Sequence, residues 1–184
     1  MLNRVEALEL LKSKVSKRNW LYHMLAVEAV MRGLAAHLGQ DEGKWGLLGL
    51  LHDVDFSETE ATPERHGLEA EKMLEGKVPE DLIRAIKAHN AAYTGVEPLS
   101  IMEKALIAAD AVSGLIIATA LVMPSRKISE VTLKTLEKKF KQKDFAKGVD
   151  RGRISLHEEL GIPREKFLEI ALKSLKNIAD SIGL

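Results

Sequence analysis

Cysteine is absent from all 184 residues. That excludes disulfides, thiolate zinc sites and iron–sulfur clusters, and leaves any metal site to histidine and carboxylate ligands. Net charge is absent as well. The 27 Lys and Arg balance the 27 Asp and Glu, so the chain as a whole has no polyanion-binding character. Charge is uneven locally, with ten basic against four acidic residues from Arg126 to Arg153. That block contains only Phe140 and Phe145 as aromatics. Stacking on nucleic-acid bases is therefore poorly supported, and a solvated face is expected. The opening Met1-Leu-Asn-Arg-Val-Glu-Ala-Leu lacks the charged-then-apolar pattern of a signal peptide, so a cytoplasmic location is expected. No strand pattern of convincing length, internal repeat or low-complexity segment is found.

What is present reads as helix. Hydrophobic residues at 46% and charged residues at 29% describe a soluble globular chain, long enough for one domain with a sizeable core. Asn3 and Glu6 have the spacing of a capping box, which opens a helix running to about Lys14. A second helix runs from near Lys17 to Gly39, with Val27, Val30, Leu34 and Leu38 as its apolar stripe and His23 on the same face. Glu28 and Arg32 are expected to pair on its outer face. The third runs from about Asp41 into His52. Residues 54–62 are read as loop, and Pro63 as the start of a helix carrying His66. Another helix starts at Pro79 and ends near His89-Asn90, followed by a loop over 91–98.

Ala105 to Met123 is a 19-residue run with a single charge, Asp110. Its length is near the minimum for a membrane span. The carboxylate would be costly in lipid, however, and the reading is a central buried helix. Shorter helices follow from Ser129 and over 140–148, and Pro163 to Ile182 forms the last. The expected architecture is an all-α, single-domain helical bundle. Residues 1–125 form its core, and 126–184 form a C-terminal helical extension packed on that core.

Six histidines are present. His37 lies off the buried stripe and His157 in the tail, and both are read as ordinary core or surface residues. The other four, His23, His52, His66 and His89, sit near the ends of predicted helices. With Asp53 beside His52 and Asp110 on the most apolar helix, they come from five separate helices. Such a set can meet only in the middle of a bundle, where side chains of facing helices build metal sites.

The ordered segments are His23-Met-Leu-Ala-Val-Glu28, Leu50-Leu-His-Asp-Val-Asp55, Arg65-His-Gly67, Ala88-His-Asn90 and Ala108-Ala-Asp-Ala-Val-Ser-Gly114. Together they resemble the HD-domain superfamily of metal-dependent phosphohydrolases, and within it the small stand-alone HDIG-type subgroup. The resemblance covers about half the chain. It implies that His23, His52, Asp53 and Asp110 hold one metal ion. It also implies that His66 and His89 hold a second, with Asp53 as the bridge. Nitrogen and oxygen ligands without sulfur suit iron, manganese or zinc, with nickel as a further option.

The resemblance implies hydrolysis of a phosphate ester of a nucleotide or another small phosphorylated metabolite, as a monoester or a diester. Asp53 and Asp55 are the expected catalytic carboxylates, with Asp55 holding a ligand histidine or positioning water. Asn90, Lys143 and Arg151 are the expected substrate contacts. The chain departs from many relatives directly after the His-Asp pair, where Val54-Asp55-Phe56 replaces a Gly-Lys whose lysine assists the leaving group. Two alternatives share the ligand order or the missing lysine. One is a di-iron oxygenase similar to myo-inositol oxygenase, and the other is a non-catalytic module that binds metal and nucleotide. Neither membrane nor nucleic acid is an expected partner, and a homodimer is left open.

Overall fold

The computed structural model describes residues 1–184, which are helices joined by turns with no strand. The first half contains α1 (Arg4–Lys14), α2 (Arg18–Leu38), α3 (Glu42–Leu51), α4 (Phe56–Thr59), α5 (Leu68–Leu74), α6 (Glu80–Ala88) and α7 (Ala91–Thr94). Then come α8 (Ile101–Leu121), α9 (Leu133–Lys141), α10 (Arg151–Ser155) and α11 (Arg164–Asn177).

Local chemistry sets the ends of these helices. Asn3 and Glu6 close the expected capping box on α1, and Ser100 and Glu103 close another on α8. Asp41 caps α3 through the Lys44 amide. Gly39, at φ +66°, ends α2 in the left-handed conformation that glycine adopts without steric cost.

The core forms where α2, α3 and α8 pack together, and α6, α9, α10 and α11 close around α8. One contiguous apolar cluster joins Val27, Val30 and Leu34 of α2 to Leu106, Val112 and Leu115 of α8. It continues through Leu136, Ile154 and Phe167 of the C-terminal helices. Each such side chain stabilises the fold by about 1.5–3 kcal/mol through removal from water. Helix α8 is long and apolar enough to cross a membrane, yet about two-thirds of it is buried by its neighbours.

The structure departs from the sequence reading in several places. The helix expected from Pro63 is broken in two. A 3-10 turn over Pro63–Arg65 leads to an extended His66 (φ −64°, ψ 130°), and Gly67 takes φ +87° before α5 begins. A left-handed residue interrupts a right-handed helix, so His66 sits on a bend. The loops expected over 54–62 and 91–98 each contain a one-turn helix, α4 and α7. Residues 142–149 are turns rather than helix, and the last helix stops at Asn177 before a 3-10 turn over Ala179–Ile182. Glu28 is not on an outer face. It is buried, and its carboxylate accepts from both Arg4 and Arg32 because α1 lies across it.

One close approach controls how α2 and α3 meet. A Cβ placed on Gly49 would lie 2.8 Å from the Val27 carbonyl oxygen and 3.0 Å from the Glu28 Cα. Both of those atoms are backbone and cannot turn aside. Gly49→Ala gains helix propensity, about 1 kcal/mol, but must push α3 off α2. It is expected to lower stability by about 1–3 kcal/mol, read as a lower urea midpoint at unchanged slope. An unchanged midpoint would show that the two helices can separate freely.

Candidate metal centre

His23 lies in the second turn of α2, and His52 caps the C-terminus of α3 with Asp53 next in the chain. His66 occupies the bend before α5, His89 caps α6, and Asp110 lies in the middle of α8. The six side chains expected to converge do so. His23 Nε2 is 3.0 Å from Asp110 Oδ1, which lies 4.0 Å from His52 Nε2. His52 Nε2 is 3.4 Å from Asp53 Oδ2. The other Asp53 oxygen, Oδ1, is 3.2 Å from His66 Nε2 and 3.4 Å from His89 Nε2. Two ligand groups result, His23–His52–Asp53 and Asp53–His66–His89, with ligand atoms of each group within 4.8 Å of one another. Asp53 belongs to both.

The outer nitrogens orient the rings. His52 Nδ1 donates to the Gly49 carbonyl at 2.8 Å, His66 Nδ1 to Asp55 Oδ1 at 2.8 Å, and His89 Nδ1 to the Ile86 carbonyl. A carbonyl or carboxylate can only accept, so each Nδ1 carries a proton, and each ring in its neutral form turns an Nε2 lone pair inward.

That arrangement fits a bound cation. His52 Nε2 is buried without a hydrogen-bond partner; its neighbours Asp53 and Asp110 offer only further lone pairs. His66 Nε2 and His89 Nε2 face each other at 2.9 Å, a contact of two lone pairs unless a proton or metal lies between them. Leaving such groups buried and unmatched costs about 1–3 kcal/mol each.

The acid–base properties follow from the same crowding. Burial opposes charge on His66, but hydrogen bonds to Asp53 and Asp55 outweigh it, and its pKa is pushed up to about 10. Burial lowers His89 despite Asp53, and the nearby His66 and His52 lower it further. One proton therefore resides in the pair, on His66. Burial also opposes charge on His52, but Asp53, Asp110 and the Gly49 carbonyl raise its pKa. Burial would raise Asp53, yet His52, then His66 and His89, hold it well below the usual carboxylate range. Asp110 is depressed against burial by His23, then by His52 and Arg153. Both carboxylates are thus ionised and ready to bind a cation.

Some of the remaining expectations stand, as for His37, His157 and the Asp55 contact to a ligand histidine, and others need correction. Asp55 is not placed for catalysis. It is fully buried, and its Oδ2 accepts from the Gly67 and Ala70 amides while Oδ1 holds His66. It orients a ligand from behind. Asn90 does not face a substrate with its amide NH2, which donates to the Pro63 and His66 carbonyls and pins the bend. The Arg151 guanidinium is consumed by the carbonyls of Lys139, Phe140, Gln142, Phe145, Ala146 and Val149. No donor is left for a phosphate. Lys143 is exposed. His157 is a buried core histidine, bonded to the Ile162 carbonyl and stacked on Phe167. His37 is exposed.

The sequence reading missed Arg153. Its Nη2 lies 3.0 Å from Asp110 Oδ2 and donates to the His89 carbonyl at 3.1 Å. The basic block pointed to the region but not to the residue. Arg151 and Arg153 are two apart, so on a helix they point about 200° apart, and only the packing of α10 decides which of them faces inward. A separate cavity of about 360 Å³ between α2 and α11 shares no residue with the centre.

Comparison with known proteins agrees with the geometry. A family model described as HD domain matches residues 20–115, about half the chain and a span that includes all six converging side chains. No curated protein and no solved structure matches the chain.

Proposed function

The chain belongs to the HD-domain family, a family of metal-dependent phosphohydrolases, and from that premise we propose that it hydrolyses a phosphate ester of a nucleotide or another small phosphorylated metabolite with two divalent ions. The observation that carries this reading is the sharing of Asp53 between two ligand groups. A carboxylate has two oxygens that can serve two ions, whereas each inward imidazole nitrogen serves one. His23, His52 and Asp110 would hold the first ion with Asp53, and His66 and His89 would hold the second. The nitrogen and oxygen donors suit iron, manganese or zinc.

Divalent ions bound there would lower the pKa of water towards about 7 and neutralise phosphate charge. The protein's own part is to keep the ligands ready. Gly49, Ile86 and Asp55 hold three rings in the tautomer that turns a lone pair inward. The neighbouring histidines hold Asp53 and Asp110 below the usual carboxylate range, so both are ionised at neutral pH. Little ligand reorganisation is left for the moment of binding.

The test is metal analysis of protein purified without chelator, followed by phosphate-release assays on nucleotides and sugar phosphates with manganese, iron, zinc and nickel. About two equivalents of metal per chain are expected, with activity that is lost on chelation and restored by metal. Phosphate release that survives complete metal removal would overturn the proposal, as would a metal-loaded protein that releases phosphate from no ester.

A further inference from the structure

We propose that Arg153 is the substrate-binding cation of this centre, brought to it by the C-terminal segment and presenting free N–H groups to the phosphoryl oxygens of an anionic substrate. The inference rests on the phosphohydrolase reading and deepens it.

Three carboxylates, Asp53, Asp55 and Asp110, gather around the ligand histidines. Among all Lys and Arg side chains, Arg153 alone forms an ion pair with any of them. A phosphate ester held at the metal ions would still present outward oxygens, and a cation beside the centre can meet them with directed N–H donors. A planar guanidinium suits that role, since its fork of donors matches the spacing of phosphate oxygens.

The nitrogens of Arg153 divide into held and free. Nη2 is occupied by Asp110 Oδ2 and the His89 carbonyl. Nε and Nη1 donate to nothing in the protein. The side chain is one-third exposed, so those free donors face solvent beside the centre. One nitrogen fixes the group in place while the others remain available for recognition.

The segment carrying Arg153 is built to hold this position. Arg151 gathers the carbonyls of the preceding turns, and Asp150 caps α10 through the Gly152 amide at 2.7 Å. The turn then seats on α8, where a Cβ on Gly114 would lie 3.3 Å from Val149 Cγ2. Gly114 is one helical turn beyond Asp110 and on the same face. Small size at residue 114 thus lets the tail approach the carboxylate that Arg153 touches. Arg153 meets the centre through tertiary packing, from a part of the chain outside residues 20–115.

Arg153→Ala and Arg153→Lys test the assignment, with inorganic phosphate as the probe on metal-loaded protein. Phosphate Kd and substrate KM are expected to rise about 10–100-fold in Arg153→Ala, with metal equivalents unchanged. Arg153→Lys should lie between, because a point charge replaces a fork. Two results would overturn the inference: phosphate Kd and KM equal to wild type, or a loss of metal with phosphate affinity of the loaded fraction unchanged, which would make Arg153 only a support for Asp110. Should Arg153→Ala fail to fold, Arg153→Lys carries the same comparison. A wild-type protein that releases phosphate from esters while Arg153→Ala keeps its KM removes this inference alone. A loaded wild type that hydrolyses no ester removes the phosphohydrolase reading and this one with it.

Discussion

Asp53→Ala is expected to remove bound metal and phosphate release together. Asp53 is the one residue common to both ligand groups, and its two oxygens lie 3.2–3.4 Å from the Nε2 atoms of His52, His66 and His89. Without it, Asp110 is the only carboxylate left among the converging ligands, and of the ligand histidines it faces only His23 and His52. The group of His66 and His89 then has no anionic ligand. Metal content after dialysis should fall from about two equivalents to none, and activity should drop by at least about a thousandfold, roughly 4 kcal/mol of barrier. Circular dichroism of the metal-free variant separates loss of ligation from unfolding. A variant that kept both metal and activity would show that the ligand assignment is wrong.

Asp55→Asn should give a different outcome, in which the fold survives but one ion is lost. Two amides, Gly67 and Ala70, donate to Asp55 Oδ2, so the asparagine oxygen must take that position and its NH2 must face His66 Nδ1. An NH2 group donates, so Nδ1 must become the acceptor, and the proton moves to Nε2. The inward lone pair of His66 disappears. Changing the residue behind a functional histidine from carboxylate to amide works in this way elsewhere, at a cost of up to about 10⁴ in rate through the wrong tautomer. Here the expected result is one metal equivalent instead of two and at least about a 10–100-fold loss of phosphate release. The His66 tautomer can be read directly from ring nitrogen chemical shifts.

Asp55→Ala should do more damage to the fold. It strands two buried amides and the His66 Nδ1, at about 1–3 kcal/mol for each group. The combined loss is a large part of the 5–15 kcal/mol that stabilises a typical domain, and urea unfolding would report it. If Asp55→Asn bound two ions with full activity, His66 would not be a ligand.

The two carboxylates flanking Val54 show how far sequence reading reached. Asp53 stood out as the carboxylate beside His52 at the end of an apolar run, and Asp55 as part of the segment that replaces the Gly-Lys of many relatives. Ligand chemistry and family resemblance pointed to Asp53 as a bridge, and the structure places it between two ligand groups. For Asp55 the same reasoning left open whether it faced a histidine or water. The answer depends on the bend at Gly67, whose φ of +87° brings two amides and a ring to one carboxylate. Neither hydrophobic periodicity nor motif spacing records such a bend.

The amino-acid sequence by itself determined the helical class, the course of the buried α2 and α8, and the six residues that could meet as metal ligands. The first two depend on residue type and short-range spacing, and the third on an ordered set of motifs that resembles the HD-domain superfamily. Tertiary structure alone decided that Gly49 must be bare against the α2 backbone and that Asn90 and Arg151 spend their donors on carbonyls. It also decided that Arg153 faces the centre. Those outcomes depend on how helices distant in sequence approach one another. A shift of two residues on one short helix reverses the direction of a side chain, so local composition carries no record of which cation points inward.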